Sequence, residues 1–296
     1  MFSLCNHWEF IRNWEDSFAR GELAGEPVRL PHTAQELPLH YADHNSYQMV
    51  CGYRRIMEVT QEMADKRLFL QFDGAGHIAT VYINGQEIAE HRGGYTAFRV
   101  EITDYVHTGE NIVAVKLDTT ENPEVPPFGF VIDYLTYGGL YREVWLDVRN
   151  ESLISDLYIT TPTTESAHIE ITAERAENCR YLVEILQETG ETVLKKMTMD
   201  TVLELDVPGV RSWSCDDPYR HICRVTLLKN EEILDVQEVK FGFRTAEFRE
   251  NAFYLNGKKV FLRGLNRHQC WPYMGYAAPE SLQREDARIL KEEQVV

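Results

Sequence analysis

Short runs of β-branched and aromatic residues, alternating with polar ones, recur along almost the whole chain and constrain its fold more than any other feature. They include Arg67-Leu-Phe-Leu-Gln-Phe72, Thr80-Val-Tyr-Ile83, Asn111-Ile-Val-Ala-Val-Lys-Leu117 and Tyr141-Arg-Glu-Val-Trp-Leu146. A period of two places one face of each run on a core and the other in water, the pattern of antiparallel β-structure. Two turns are fixed by their own residues: Asn84-Gly85 within Val81-Tyr-Ile-Asn-Gly-Gln-Glu-Ile88, and Asn256-Gly257 within Phe253-Tyr-Leu-Asn-Gly-Lys-Lys-Val-Phe-Leu262. Both residues of such a pair tolerate positive φ, which the type I′ turn of a tight hairpin requires. Gly93-Gly94 and Gly138-Gly139 mark further tight backbone.

After Leu146-Asp-Val-Arg-Asn150 the strands are spaced by polar turns: Leu157-Tyr-Ile-Thr160, His168-Ile-Glu-Ile-Thr172, Tyr181-Leu-Val-Glu-Ile-Leu186, Val202-Leu-Glu-Leu205, Ile222-Cys-Arg-Val-Thr-Leu-Leu228 and Ile233-Leu-Asp-Val-Gln-Glu-Val239. A strand about every ten residues is the rhythm of an immunoglobulin-like sandwich. From Pro279 onward Leu282, Ile289 and Leu290 fall at helical spacing among charged residues, so an amphipathic helix is expected there. A strand, a His-containing loop and then a helix look like the first βα unit of a parallel barrel. The 296 residues are too few for two sandwiches and a whole barrel, which alone needs about 250. The expected fold class is all-β, with a sandwich over residues 1–150, an immunoglobulin-like sandwich over 151–245 and the opening of a barrel over 246–296.

Composition narrows the partners. Asp and Glu number 47 against 30 Lys and Arg, and the net charge of -17 repels phosphate backbones and anionic lipid surfaces. Nucleic acid and membranes are therefore not expected as partners, whereas a neutral sugar meets no such barrier. The start, Met1-Phe-Ser-Leu-Cys-Asn-His-Trp-Glu-Phe10, has neither the basic opening nor the apolar run of a secretory signal, which predicts a cytoplasmic protein. Cys5, Cys51, Cys179, Cys215, Cys223 and Cys270 are scattered without zinc-site spacing and read as buried free thiols.

A resemblance runs along nearly the whole chain. Leu30-Pro-His-Thr33, Gly52-Tyr-Arg-Arg55, Val81-Tyr-Ile-Asn-Gly85 with His91-Arg-Gly-Gly-Tyr95, Tyr137-Gly-Gly-Leu-Tyr-Arg142, Trp213 with Asp217-Pro-Tyr219, Phe241-Gly-Phe-Arg244, and Asn256-Gly-Lys258 leading into Arg263-Gly-Leu-Asn-Arg-His-Gln269 resemble, in order and spacing, glycoside hydrolase family 2. This is the β-galactosidase, β-glucuronidase and β-mannosidase group. The resemblance implies a jelly-roll sugar-binding domain, an immunoglobulin-like domain and a (β/α)₈ catalytic barrel. Such enzymes retain configuration, one carboxylic acid protonating the leaving oxygen while a carboxylate about 5 Å away attacks the anomeric carbon. In the family both glutamates lie on later barrel strands, so no catalytic residue is assigned here. Glu292 and Glu293 read as a solvated helix face.

Four residues are expected to touch substrate. Asp133, in Asp133-Tyr-Leu-Thr-Tyr-Gly-Gly-Leu-Tyr-Arg142, resembles the aspartate with which the sugar-binding domain of some β-galactosidases contacts a galactose hydroxyl and a monovalent cation. A carboxylate suits both tasks, because it accepts hydrogen bonds and ligates hard cations. Asn266, His268 and Trp271 follow the expected first barrel strand, at the end where barrel active sites are built. The imidazole can exchange hydrogen bonds with a hydroxyl, and the indole offers a flat face to a sugar ring. Tyr53-Arg54-Arg55 and Tyr137–Arg142 read as structural. The resemblance requires no cofactor for this chain and allows sodium at Asp133 and magnesium in the complete enzyme. The reading is thus the non-catalytic front of a β-galactosidase acting on β-galactosides or oligosaccharides, able to form homo-oligomers. The alternatives are a stand-alone carbohydrate-binding module, a structural or oligomerisation module, or a β-glucuronidase portion.

Overall fold

The structure, a computed structural model, describes residues 1–293 apart from 39, 41, 42, 44, 130 and 133. They divide into two compact units: Met1–Val148 with the stretch from Leu265 onward, and Arg149–Gly264. The residues expected as one C-terminal unit are therefore parted, 246–264 belonging to the second unit and 265–293 to the first.

Among the described residues the first unit is a sandwich of two sheets. One is antiparallel and six-stranded, in the order Glu26–Val28, Trp8–Ile11, Val50–Val59, Gly109–Asp118, Ile78–Ile83 and Gln86–Arg92. The other orders Phe2–Ser3, Val144–Arg149, Arg67–Phe72 and Phe98–Glu101. Period-two alternation sends Cys51, Tyr53, Met57 and Val59 inward from one strand and Val113, Val115 and Leu117 from its neighbour. They meet Leu68, Leu70, Phe72, Val144 and Leu146 from the facing sheet. Each such side chain contributes roughly 1.5–3 kcal/mol by leaving water. The opposite face of Val50–Val59 is covered by the short helix Asp16–Ala19, where Arg54 lies 4.4 Å over the Phe18 ring.

Between the sheets the backbone closes at the Gly138-Gly139 pair. Gly76 N–H donates to Gly139 O at 3.0 Å, and a Cβ on Gly138 would stand 2.1 Å from Thr119 Cγ2. Gly139, at φ +137°, would place one 2.3 Å from the His32 carbonyl. Only glycine lets these segments approach so closely.

The second unit packs the three-stranded sheet Leu153–Thr163, Ser166–Glu174 and Val202–Asp206 against the four-stranded sheet Thr192–Thr198, Arg180–Leu186, His221–Lys229 and Glu232–Phe241. Ala167, Ile169 and Ile171 from one sheet and Tyr181, Val183, Ile185, Cys223, Val225 and Leu227 from the other form its core. A small antiparallel sheet, Ala246–Arg249, Ala252–Leu255 and Lys258–Val260, completes the unit. Both expected hairpin turns have paired positive φ values, 52° and 81° at Asn84-Gly85 and 50° and 73° at Asn256-Gly257. Asn84 Oδ1 also accepts from Ile112 N–H, and Asn256 Oδ1 from Thr245 N–H, each at 2.9 Å.

The expected barrel opening takes a particular form. Lys258–Val260 pairs back on Ala252–Leu255, and Phe261 and Leu262 are 83% and 59% exposed. A parallel barrel strand is stable only between neighbouring strands with both faces covered, and among the described residues nothing supplies them. The helix forms as Glu280–Glu292. Leu282 and Leu290 are half-buried, whereas Ile289 faces solvent because Gln283 and Asp286 share the inward side and bond Arg267. Glu292 is exposed and pairs with Arg288. Of the cysteines, Cys5, Cys51, Cys179 and Cys223 are buried as expected, but Cys215 is exposed and Cys270 half-buried. Burial pushes the Cys223 thiol up to about 12.

The stretch from Leu265 onward is held by one aromatic cluster. Tyr276 is 6% exposed and inserts among Tyr137, Tyr141 and Tyr47, with ring centroids 5.1 Å from Tyr137 and 5.7 Å from Tyr141. Its hydroxyl donates to Leu135 O at 3.0 Å, and its carbonyl accepts from Arg142 Nη1 at 2.7 Å. Gly275 lies so close that a Cβ would stand 2.5 Å from the Tyr137 ring. Tyr276→Ala removes ring and hydroxyl together and should cost about 3–5 kcal/mol in thermal unfolding. Tyr276→Phe should cost only about 1 kcal/mol, since the ring stays and one hydrogen bond goes. Equal losses in the two variants would refute this division.

A second prediction concerns acid. His32 Nδ1 shares a hydrogen bond of 2.9 Å with the Tyr53 hydroxyl, and burial pushes the imidazole down to about 4. In the unfolded chain His32 takes up a proton below about pH 6.5, and in the folded chain only near pH 4. Its contribution to stability is therefore complete above pH 6.5 and is lost as pH falls towards 4. Burial lowers His77 in the same direction. Urea titrations across that window should show stability falling by about 1 kcal/mol per pH unit, with a shallower slope for His32→Leu. An unchanged slope would remove His32 from the explanation.

Candidate functional site

The cavity of interest lies within the first unit, where the stretch from Leu265 onward meets the sandwich. It measures about 560 Å³ and is lined by Asp73, Tyr95, Tyr134, Tyr141 and Arg142 from the sandwich and by Leu265, Asn266, Arg267, His268, Gln269 and Tyr276. Two of the expected substrate residues, Asn266 and His268, thus stand on one wall. Trp271 does not line the cavity. Its backbone pairs with Gly275, donating at 3.1 Å and accepting at 2.9 Å, which turns the chain so that Tyr276 reaches its pocket. Asp133 lies outside the described residues, so its expected contacts with a sugar hydroxyl and a sodium ion have no geometry here.

The loops that build the sandwich side are pinned at several points. Gly94 N–H donates to Pro126 O at 2.6 Å, and the Tyr141 hydroxyl donates to Gly94 O. A Cβ on Gly94 would meet Pro127 Cδ at 2.8 Å, so the glycine pair lets the proline-rich loop pack there. The far end of that loop is held by His77, whose Nε2–H donates to Thr136 O at 2.9 Å. His77 is 2% exposed, and burial lowers its basicity, which keeps the ring neutral. At the near end the Tyr47 hydroxyl donates to the Glu121 carboxylate.

The sandwich side of the cavity is rich in tyrosine. His268 meets the Tyr134 ring edge-to-face with centroids 4.7 Å apart, and the hydroxyls of Tyr134 and Tyr95 are 3.1 Å apart. Tyr95 and Tyr276 are both pushed above the usual phenol range, first by burial. They stay protonated at neutral pH and act as hydrogen-bond donors and acceptors. Asp73 accepts from Trp145 Nε1 at 2.7 Å and from Gln71 Nε2 at 3.3 Å. Such a wall offers hydroxyl, imidazole, amide and carboxylate groups around flat rings, the set that recognises a sugar. Arg142, read as structural, bonds the Tyr276 carbonyl and also borders the cavity. Sequence reasoning did not single out Tyr95, Tyr134 or Tyr276. The first two lie within or beside quoted motifs, but nothing local marks Tyr276.

Among the described residues no group of three or more His, Cys, Asp or Glu side chains is placed to hold a metal ion. The sodium and magnesium ions implied by the resemblance therefore enter no step. No helix is long and apolar enough to cross a membrane, again among the described residues.

A larger opening of about 910 Å³ lies in the second unit, lined by Phe248, Phe253, Val260, Phe261 and Leu262 with Arg249, Glu250 and Lys259. Its rings and aliphatic side chains dominate the lining, and it brings together no cluster of hydroxyl, imidazole and amide groups like that of the smaller cavity.

Comparison with known proteins agrees with this architecture. Residues 24–149 match the family model described as glycosyl hydrolases family 2, sugar binding domain, and residues 152–244 match that of glycosyl hydrolases family 2. A β-galactosidase of Thermoanaerobacter pseudethanolicus is 38% identical over 90% of this chain, and one of Thermoanaerobacterium thermosulfurigenes is 35% identical over 97%. This chain spans only 38% and 43% of their lengths. Other matching relatives are named β-glucuronidase. The solved β-glucuronidase of Bacteroides uniformis superposes with a TM-score of 0.86 at 26% identity, over 98% of this chain and 38% of that one. Two sandwiches of the expected kind, in the expected order and matched by both models, place the chain in glycoside hydrolase family 2.

Proposed function

We propose that this chain is the N-terminal, non-catalytic portion of a retaining β-galactosidase that hydrolyses terminal β-galactosides. The observation carrying the reading is the cavity lined by Asn266 and His268, where the His268 ring packs on Tyr134, the residue next in sequence to Asp133. A cavity that brings hydroxyl groups of the sandwich to imidazole and amide groups of the stretch from Leu265 onward supplies binding and orientation. Retaining hydrolysis needs two carboxyl groups about 5 Å apart. Among the described residues lining this cavity, Asp73 is the one carboxylate, and it is held by Trp145 and Gln71. The two catalytic groups would come from chain beyond this portion, as the longer relatives allow. Phe248, Phe261 and Leu262 form an exposed apolar surface suited to being covered by such a continuation.

β-Galactosidase is preferred to β-glucuronidase because the relatives at 38% and 35% identity carry that name, as does one at 31%, against a β-glucuronidase at 31%. The competing reading is favoured by a β-glucuronidase relative at 31% identity and by the solved β-glucuronidases of Bacteroides uniformis at 25–26%. The complete polypeptide should hydrolyse nitrophenyl β-galactoside in preference to the β-glucuronide, while the isolated 296-residue chain should turn over neither. Asp133→Ala in the complete enzyme should raise KM for the galactoside about tenfold, as loss of a charge-assisted hydrogen bond requires. Preference for the glucuronide would reject the substrate assignment. Turnover by the isolated chain that survives purification to constant specific activity would reject the non-catalytic role.

A further inference from the structure

A second cavity adjoins the first. It measures about 640 Å³, a size typical of small-molecule sites, and lies wholly within the first unit. Asp73, Arg142, Arg267 and Gln269 line both cavities, so the two meet at these side chains. Trp145 lines only the second. It is half-buried, and its Nε1–H is spent on Asp73 at 2.7 Å, which fixes the indole and leaves ring surface for the cavity. Asp73 takes that bond on one oxygen and the Gln71 bond on the other. A carboxylate with two bonds accepted still has lone pairs for hydroxyls in either cavity. Arg142 bonds the Tyr141 and Tyr276 carbonyls through Nη1 alone and makes no ion pair among the described residues, so its Nε and Nη2 keep donors for a ligand.

Charge narrows the class of that ligand. Of the charged groups lining the second cavity, Glu280 is paired with Arg284 and Arg267 with Asp286. The carboxylates of Asp73 and Glu143 are left against the guanidinium of Arg142, a balance that admits a neutral ring and repels an acidic one. We propose that the second cavity is a subsite for a neutral sugar ring packed on Trp145, with Asp73 and Arg142 bonding hydroxyls at the junction of the two cavities. This rests on the sugar-site reading of the first cavity and extends it from one ring to two. A terminal galactose is joined to its chain only through its anomeric carbon, so the second ring is the one on the leaving side, and the site reads a neutral disaccharide unit.

The test compares kcat/KM for β-galactosyl-glucose with that for methyl β-galactoside, which reaches only the first cavity, in the complete enzyme. Trp145→Leu should lower this ratio about fivefold, the loss of one ring contact. Trp145→Phe loses the same bond to Asp73 but keeps an aromatic ring, and should hold the ratio within about twofold. Glu143→Gln keeps the shape and removes the charge. It should raise kcat/KM for β-galactosyl-glucuronic acid about threefold relative to the neutral disaccharide. The Glu143 side chain has no bonding partner among the described residues, so this second measurement stands even where the indole is needed for folding. A ratio that Trp145→Leu leaves as in the wild type, or an acidic disaccharide indifferent to Glu143→Gln, would overturn the second subsite. The two levels separate cleanly. If the enzyme prefers methyl β-glucuronide to methyl β-galactoside, the sugar assigned to the first cavity falls. If it prefers the galactoside while both ratios stay unchanged, only the second cavity falls.

Discussion

The insertion of Tyr276 among Tyr137, Tyr141 and Tyr47 is the contact on which the candidate site depends. It joins a stretch from the end of the chain to a sandwich built from its beginning. Ring packing supplies the apolar part of the contact, while the Leu135 and Arg142 bonds satisfy its polar atoms. Burying the tyrosine without those partners would cancel part of what the ring contributes. The cluster also fixes what lies on either side of it. Asn266 and His268 precede Tyr276 and form one wall, while the helix Glu280–Glu292 follows and is tied back through Asp286 and Gln283 to Arg267.

The sandwich side of the cavity owes its shape to close backbone approaches. Gly94 admits the proline-rich loop, and Gly138 and Gly139 let that loop return between Thr119 and the His32 segment. The neutral His77 then pins Thr136 from within. This is a division of labour in which glycines permit an approach and buried polar groups hold it. Loops carry the recognition groups, and a rigid pair of sheets fixes where those loops begin and end.

Much of the fold was legible because its signals are local. Alternation along Gly109–Asp118 and Arg180–Leu186 follows from strand geometry alone, and Asn84-Gly85 and Asn256-Gly257 carry the residues that a tight turn with positive φ calls for. Other turns were not legible. Asn230-Glu231 and Glu250-Asn251 have the same paired positive φ, yet place a glutamate where glycine is usual, so the pairing of their strands overrides local preference. At the site, a motif pointed to Asn266 and His268, and both line the cavity. Trp271, two residues past that motif, pairs through its backbone with Gly275 and is not among the residues lining the cavity. Tyr95 and Tyr276 were missed because their roles arise from contacts across the fold, such as the Arg142–Tyr276 bond between residues 134 apart. No spacing rule encodes such a contact. Ile289 was misplaced for a related reason, since polar bonds to Arg267 decided which helix face turned inward.

Amide hydrogen exchange along the stretch from Leu265 to Ala278 tests the central claim most directly. The account predicts slow exchange at Gly275 and Ala277, whose N–H groups donate to Trp271 O and Met274 O beside the buried Tyr276. It predicts fast exchange at Asn266 and His268, which are exposed on the cavity wall. Exchange at Gly275 and Ala277 as fast as at His268 would mean that the stretch is not held on the sandwich. The cavity, and the sugar site read from it, would then not exist in solution.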